Sequence, residues 1–182
     1  LEELQLNAER SQMSRRGFVS TLGSMGAPDF VDIMKNPDRT YLTEAPYGSM
    51  DPTERLRVLD AENIDIAILY TTVGLLWEAE IKDPELSQAY TTAYNRWICE
   101  FCADSPRLVP TAHLSLSDPE AAARELRRAV AAGARGGYVA PFTHDGRPFG
   151  HPSNEPVFAA AQDLGVPLAL HPTFEPQWTK GT

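Results

Sequence analysis

Positive charge is scarce in this chain of 182 residues and nowhere concentrated. Its 16 Lys and Arg are outnumbered by 25 Asp and Glu, leaving a formal charge of -9. No Lys/Arg block occurs, so a nucleic acid or an anionic membrane would find no basic footprint to neutralise its phosphates. No apolar run approaches the roughly 20 residues of a membrane span. No strand pattern leads into a glycine-rich phosphate loop of the dinucleotide or P-loop type, and no repeat suggests a solenoid. Cysteine is limited to Cys99 and Cys102, which excludes a disulfide framework and suits a reducing compartment. Their Cys-x-x-Cys spacing falls inside a helical pattern, without a second pair or a following histidine, so buried thiols are expected rather than a redox or zinc motif. What remains is a soluble, cytoplasmic chain with a small-molecule ligand, no nucleic-acid or membrane partner, and a composition suited to a homo-oligomer.

Ser14-Arg15-Arg16-Gly17-Phe18-Val19 has the outline of a twin-arginine export signal. The residues after it include Gly23, Ser24, Gly26, Pro28 and Asp29, where an export signal needs about 7 to 15 continuous apolar residues. Export is therefore not expected. Residues 1–50 carry scattered Gly, Pro, Ser and Asn without a sustained apolar period and read as an irregular loop or excursion. Residues 51–182 read as the folded domain.

From Asp51 the pattern alternates. Asp51-Pro52-Thr53-Glu54 supplies a cap, a proline at the first helical position and an early carboxylate, predicting a helix to about Glu62. Ile64 to Tyr70 has the composition of a parallel strand buried on both faces. Asp83-Pro84-Glu85 opens a long helix whose apolar residues Leu86, Ala89, Tyr90, Ala93, Tyr94, Trp97, Ile98, Phe101 and Cys102 share one face. A strand over Leu108–Leu114 and a helix opened by Asp118-Pro119-Glu120 and stopped by Gly133 follow. Gly136–Pro141 is a third strand, Asn154 is the expected cap of a helix ended by Gly165, and a fourth strand runs up to His171. Strand and helix in alternation mean right-handed crossovers and a parallel sheet. Of the two α/β folds with that order, the missing phosphate loop favours a (β/α)8 TIM barrel. Four strands in 182 residues fall short of the roughly 250 residues of a complete one.

Barrels place their chemistry at the C-terminal ends of the strands. His171 ends one, and an imidazole there is a candidate metal ligand. His113 also ends a strand, where a hydrogen-bonded interior histidine is expected. His144 and His151 sit on the loop after the third strand, and His144 is the candidate for substrate contact. Phe174 and Trp178, on the loop after His171, are candidates for an apolar wall against a substrate ring. Arg15, Arg16 and Arg39 could clamp a carboxylate, but nothing selects one.

From about Met50 to Trp178 the chain resembles the amidohydrolase-related, metal-dependent TIM-barrel family that includes aminocarboxymuconate semialdehyde decarboxylase. The stretches that carry the resemblance are Asp51-Pro52 through Leu56, Asp60 through Leu69, Ala93-Tyr94-Asn95-Arg96-Trp97, Arg107-Leu108-Val109-Pro110, Gly146-Arg147-Pro148, and Leu164 through Pro172. The resemblance implies a divalent metal, zinc ahead of manganese. In the family it is held by a His-x-His or Glu-x-His pair on the first strand, a histidine ending the fifth and an aspartate on the eighth. His171 matches the fifth-strand histidine, and the other ligands have no counterpart here. The chain is thus expected to supply strands two to five of a longer hydrolase or decarboxylase acting on a small carboxylated or aromatic molecule. The alternative is a metal-free binding domain that keeps the scaffold.

Overall fold

Four apolar runs of the sequence become short parallel strands, as the computed structural model shows over its described residues, 48–76 and 81–171. The chain forms two compact units that meet in sequence at Asp65 and Ile66. In the first, helix α1 (Pro52–Ala61) begins where Asp51 accepts hydrogen bonds from the backbone N–H groups of Thr53 and Glu54, at 2.8 and 3.3 Å. It ends at Glu62, and Asn63 turns the chain with a left-handed φ of 56°.

The second unit runs β1 (Ala67–Leu69), a 3-10 turn (Val73–Leu76), α2 (Pro84–Cys102), β2 (Leu108–Pro110), β3 (Ala112–His113), α3 (Pro119–Ala131), β4 (Gly137–Val139), a second 3-10 turn (Pro152–Asn154), α4 (Glu155–Leu164) and β5 (Leu168–Leu170). β2 and β3 are two halves of one expected strand. The first half pairs with β1 in the register Ala67 to Leu108, and the second pairs with β4 in the register His113 to Tyr138. Thr111 is the crossover, donating to Leu69 O at 3.1 Å, while Ala112 donates to Gly136 O on the other side at 2.9 Å. β5 completes the order through Tyr138 opposite Ala169. All three strand pairings are parallel, in a two-stranded sheet (β1, β2) and a three-stranded one (β3, β4, β5), which is the part-barrel architecture that strand and helix alternation implies.

Helices α2 and α3 begin alike. Asp83 and Asp118 accept from Glu85 N and Ala121 N, both at 3.0 Å, ahead of a proline that lacks the N–H a first helical residue does not use. α4 ends at Gly165 in the left-handed conformation, φ 65°, the backbone state for which glycine carries no Cβ penalty. No helix among the described residues is long and apolar enough to cross a membrane.

Three expectations need correction. Asn154 occupies the N-terminal boundary of α4 without capping it. Its Nδ2 instead donates to Pro148 O and Phe149 O, because the preceding turn has its own cap in His151, which accepts from Ser153 N. The strand expected to be buried on both faces is open on one, with Ile66 and Ile68 59% and 60% exposed. β1 pairs only with β2 among the described residues, and four strands curl through only part of a barrel wall.

The third correction concerns α2. Its buried face is Ser87, Thr91, Asn95, Ile98, Cys99, Phe101 and Cys102; Ile98, Phe101 and Cys102 lie inward as expected, whereas Leu86, Ala89, Tyr90, Ala93 and Trp97 from the expected inward face are exposed. The reason is a polar demand from the strand it covers.

Candidate active site

Strand β3 outruns β1, and that mismatch builds the site. Ala112 and Leu114 turn their N–H groups toward β4, so the N–H and C=O of His113 point the other way, past the last pairing of β1. A buried peptide group left without a partner is costly, so something must supply one. Asn95 of α2 does: its Oδ1 accepts from His113 N at 2.7 Å and its Nδ2 donates to His113 O at 2.9 Å. One carboxamide thus replaces the missing strand.

The same Nδ2 donates to Glu125 Oε1 of α3 at 2.8 Å, which fixes the orientation of the amide. Glu125 is only 5% exposed. Arg128 grips it through Nε at 2.9 Å and Nη2 at 2.6 Å, and Thr92 donates to Oε2 at 3.1 Å. Burial works to raise the Glu125 carboxyl, but hydrogen bonds from Arg128 and Asn95, the Arg128 charge and the Thr92 hydroxyl carry it below the usual range.

On the sheet face that carries the His113 ring, four rings gather. Tyr138 is central, with ring centroids 4.8 Å from His113, 6.0 Å from His171 and 6.4 Å from Tyr70. The last two meet it edge to face, at 89° and 81°, a favoured aromatic geometry. His113 is fully buried, with the Tyr94 ring steeply inclined to it and the two centroids 6.4 Å apart. The turn after β1 lies over it, where Thr71 Oγ1 accepts from Gly74 N at 3.0 Å. A Cβ at Gly74 would lie 2.2 Å from Thr71 Oγ1 and 3.1 Å from His113 Nδ1, so only glycine allows this closeness. His171, by contrast, is exposed at the end of β5, its N–H donating to Val139 O at 3.3 Å.

The loop after β4 is organised by Thr143, Asp145 and Arg147. Thr143 donates to the Asp145 carboxylate, and this hydrogen bond, with Arg147 nearby, holds the Asp145 carboxyl below its usual range. Arg147 reaches across to Leu116 O at 3.0 Å and Ser117 O at 3.2 Å, and to Ser153 Oγ at 2.9 Å. Its guanidinium therefore ties the loops after β3 and β4 together. Half-buried His144 sits in this loop, beside Asp145.

His171 and His113 thus share one face and one ring cluster, and His144 lies on a loop at the same strand ends. Phe174, Trp178, Arg15, Arg16 and Arg39 lie outside the described residues. Tyr138, Tyr70 and Asn95 were not singled out by the sequence; the register of a tyrosine with a strand-end histidine on the next strand is the signal that finds the first. Cys99 and Cys102 are buried, as their helical setting predicted, and burial pushes the Cys102 thiol up to about 11. Among the described residues no group of three or more His, Cys, Asp or Glu side chains is placed to hold a metal ion. A metal site needs three or four protein ligands, so the described residues do not fit one by themselves.

Residues 52–180 match the amidohydrolase family model. The chain is 35% identical over 146 residues to the gamma-resorcylate decarboxylase of Rhodococcus jostii, covering 73% of this chain and 43% of that protein. It is 31% identical over 140 residues to the enzyme of the same name from Rhizobium radiobacter, covering 72% and 42%. It thus spans less than half the length of either relative. Among solved structures, the 5-carboxyvanillate decarboxylase of Novosphingobium aromaticivorans, complexed with manganese and 4-hydroxy-3-methoxy-5-nitrobenzoic acid, matches 97% of this chain and 47% of its own. The TM-score is 0.64 and the identity 25%. An amidohydrolase from Mycobacterium avium subsp. paratuberculosis matches with TM-score 0.64 and 26% identity over 82% of this chain and 39% of its own.

Proposed function

Because the chain belongs to the amidohydrolase family, we propose that it forms part of a barrel enzyme that removes CO2 from a small hydroxylated aromatic acid. The observation that carries the reading is His171, an exposed strand-end imidazole set edge to face with Tyr138, in a fold shared with a decarboxylase of an aromatic acid. Such a reaction places a proton on the ring carbon that bears the carboxylate. The carbon–carbon bond then breaks, CO2 leaves, and the ring recovers its aromaticity. The chain's own residues serve this by shape: the exposed rings of Tyr70 and His171 offer surfaces against which a planar acid can lie, and buried Tyr138 backs them. His171 and His144 are the imidazoles within reach of a ligand, whereas His113 is closed off behind Tyr138 and the Gly74 turn.

Phe174 and Trp178 are proposed as further walls of the substrate site. His171 is proposed as one ligand of a divalent ion, which would supply positive charge to orient the oxygens of the acid. Manganese in the Novosphingobium structure supports that ion ahead of zinc. Since the described residues offer a cage only this one imidazole, no chemical step is assigned to the ion.

The test is release of CO2 from gamma-resorcylate and from 5-carboxyvanillate, with manganese present, by the wild type and His171→Ala. Stoichiometric CO2, with the rate reduced about 100-fold in the variant, is expected. Consumption of the acid without CO2 would point to hydrolysis instead. Binding without turnover, unchanged in the variant, would point to the metal-free binding domain, the reading favoured by the lack of a metal-ligand cluster among the described residues.

A further inference from the structure

The buried face of α2 is apolar in its second half, at Ile98, Cys99, Phe101 and Cys102, but polar in its first, at Ser87, Thr91 and Asn95, and that polar half has no use in holding the helix to an ordinary strand. Apolar residues would do that at less desolvation cost. Its deepest member, Asn95, is fully buried and spends three hydrogen bonds on two partners, the His113 peptide and Glu125. His113 is the last residue of β3, and the pairing fixes its backbone, hence the direction of its ring. The centroid of that ring lies 4.8 Å from that of Tyr138, and Tyr138 in turn meets His171 with centroids 6.0 Å apart. A continuous column therefore runs from α3 through α2, β3 and β4 to the end of β5, in the order Glu125, Asn95, His113, Tyr138, His171.

We propose that Asn95, its carboxamide oriented by Glu125, is a positioning residue that seats His113 against Tyr138 and through it sets the ring of His171 at the site. The claim rests on the decarboxylase reading for what the site does, but not for how His171 is held. Column members act only through the next: Asn95 touches no substrate, and its effect on chemistry is geometric. Misplacement of a reacting group by about 1 Å can cost on the order of 100-fold in rate.

Asn95→Asp is the test, made in the full chain. An aspartate keeps the shape and an acceptor for His113 N, but loses both donated hydrogen bonds and sets a second carboxylate against Glu125. The readout is the imidazole NMR signals of His113 and His171, assigned by single substitution of each of the four histidines. Leu108→Ala is the control, since it removes buried packing from the opposite end of the same strand without touching the column. Asn95→Asp is expected to shift both imidazoles, and Leu108→Ala neither. Turnover of the aromatic acid is expected to fall about 10- to 100-fold in kcat with KM little changed.

If Asn95→Asp does not fold, Glu125→Gln carries the test. It leaves an oxygen for Asn95 and should shift the same two imidazoles in the same direction, by less. An Asn95 variant, or Glu125→Gln in its place, that unfolds more easily yet leaves the His171 signal unmoved would overturn the proposal and reduce the network to fold maintenance. Absence of decarboxylation in the wild type would defeat the functional reading alone, because the NMR comparison stands without it.

Discussion

Gly137, the first residue of β4, lies where three leucines converge, and Gly137→Ala tests the geometry that holds β3, β4 and β5 together. An added Cβ would lie 2.8 Å from Leu114 Cδ1, 2.9 Å from Leu168 Cδ2 and 3.3 Å from Leu126 Cδ1. Carbon atoms prefer separations of about 3.5–4.0 Å, so the first two must retreat by at least about 0.6 Å each. Leu168 is half-buried and can swing outward, but Leu114 and Leu126 have no exposed surface. Forcing a methyl into a filled core costs about 1–3 kcal/mol, offset by about 0.4–1 kcal/mol because alanine has less freedom than glycine in the unfolded chain. A net loss of about 1–2 kcal/mol is expected. With a urea slope of about 1–3 kcal/mol/M, the midpoint should fall by roughly 0.3–2 M.

A double-mutant cycle sharpens the test. Leu114→Ala alone opens a cavity and should cost about 2–5 kcal/mol, yet that cavity is where the new methyl would go. The two changes should therefore be non-additive by about 0.5–3 kcal/mol, the double variant being more stable than the sum predicts. A Gly137→Ala protein as stable as the wild type, or strictly additive losses, would refute the packing argument.

Two further outcomes follow from the buried groups. Glu125 titrates below its usual value in the folded chain, so its stabilising contribution is complete above the unfolded carboxyl range and is lost as pH falls through the lower folded value. Acid unfolding should accordingly steepen below about pH 4.3. Glu125→Gln should flatten that limb and cost about 1–3 kcal/mol at neutral pH, measured by denaturant melts across pH; an unchanged acid limb would show that the carboxylate is not held as described. For Cys102, a thiol at about 11 leaves roughly one molecule in ten thousand as thiolate at pH 7. Ellman's reagent should therefore leave both cysteines untouched in the folded protein and titrate two on unfolding, and rapid labelling of the native state would contradict their burial.

Helix starts were legible from the sequence because their chemistry is local: Asp51, Asp83 and Asp118 each precede a proline and cap the helix through their own carboxylates. The strands were legible as apolar runs, although their lengths were not, since Ile64–Tyr70 contracts to Ala67–Leu69. What the sequence could not disclose is where a neighbouring strand stops. Asn95 looks like an ordinary polar residue of an amphipathic helix until β1 is seen to end before His113. The apolar period of α2 is right for Ile98, Phe101 and Cys102 but misleads for Leu86, Tyr90 and Trp97, which lie on the exposed side. His171 was legible from its strand end, but its neighbour Tyr138 was not, because that contact depends on the register of β4 against β5.

The registers also explain why the site is open at one level and closed at the next. His113, Tyr138 and Ala169 are aligned across three strands, and in a parallel sheet aligned residues point to the same face. The first two are fully buried, so this level forms a filled floor, as barrel interiors do with layers of side chains from neighbouring strands. His171 lies just beyond the end of β5, two residues past Ala169, and is exposed. Tyr138 meets a ring of each level, His113 in the floor and His171 beyond it. The two strand-end histidines, indistinguishable by residue type and by position at a strand end, therefore differ in access: β3 places His113 level with Tyr138, where it is buried, and β5 carries His171 two residues past that level, where it is exposed.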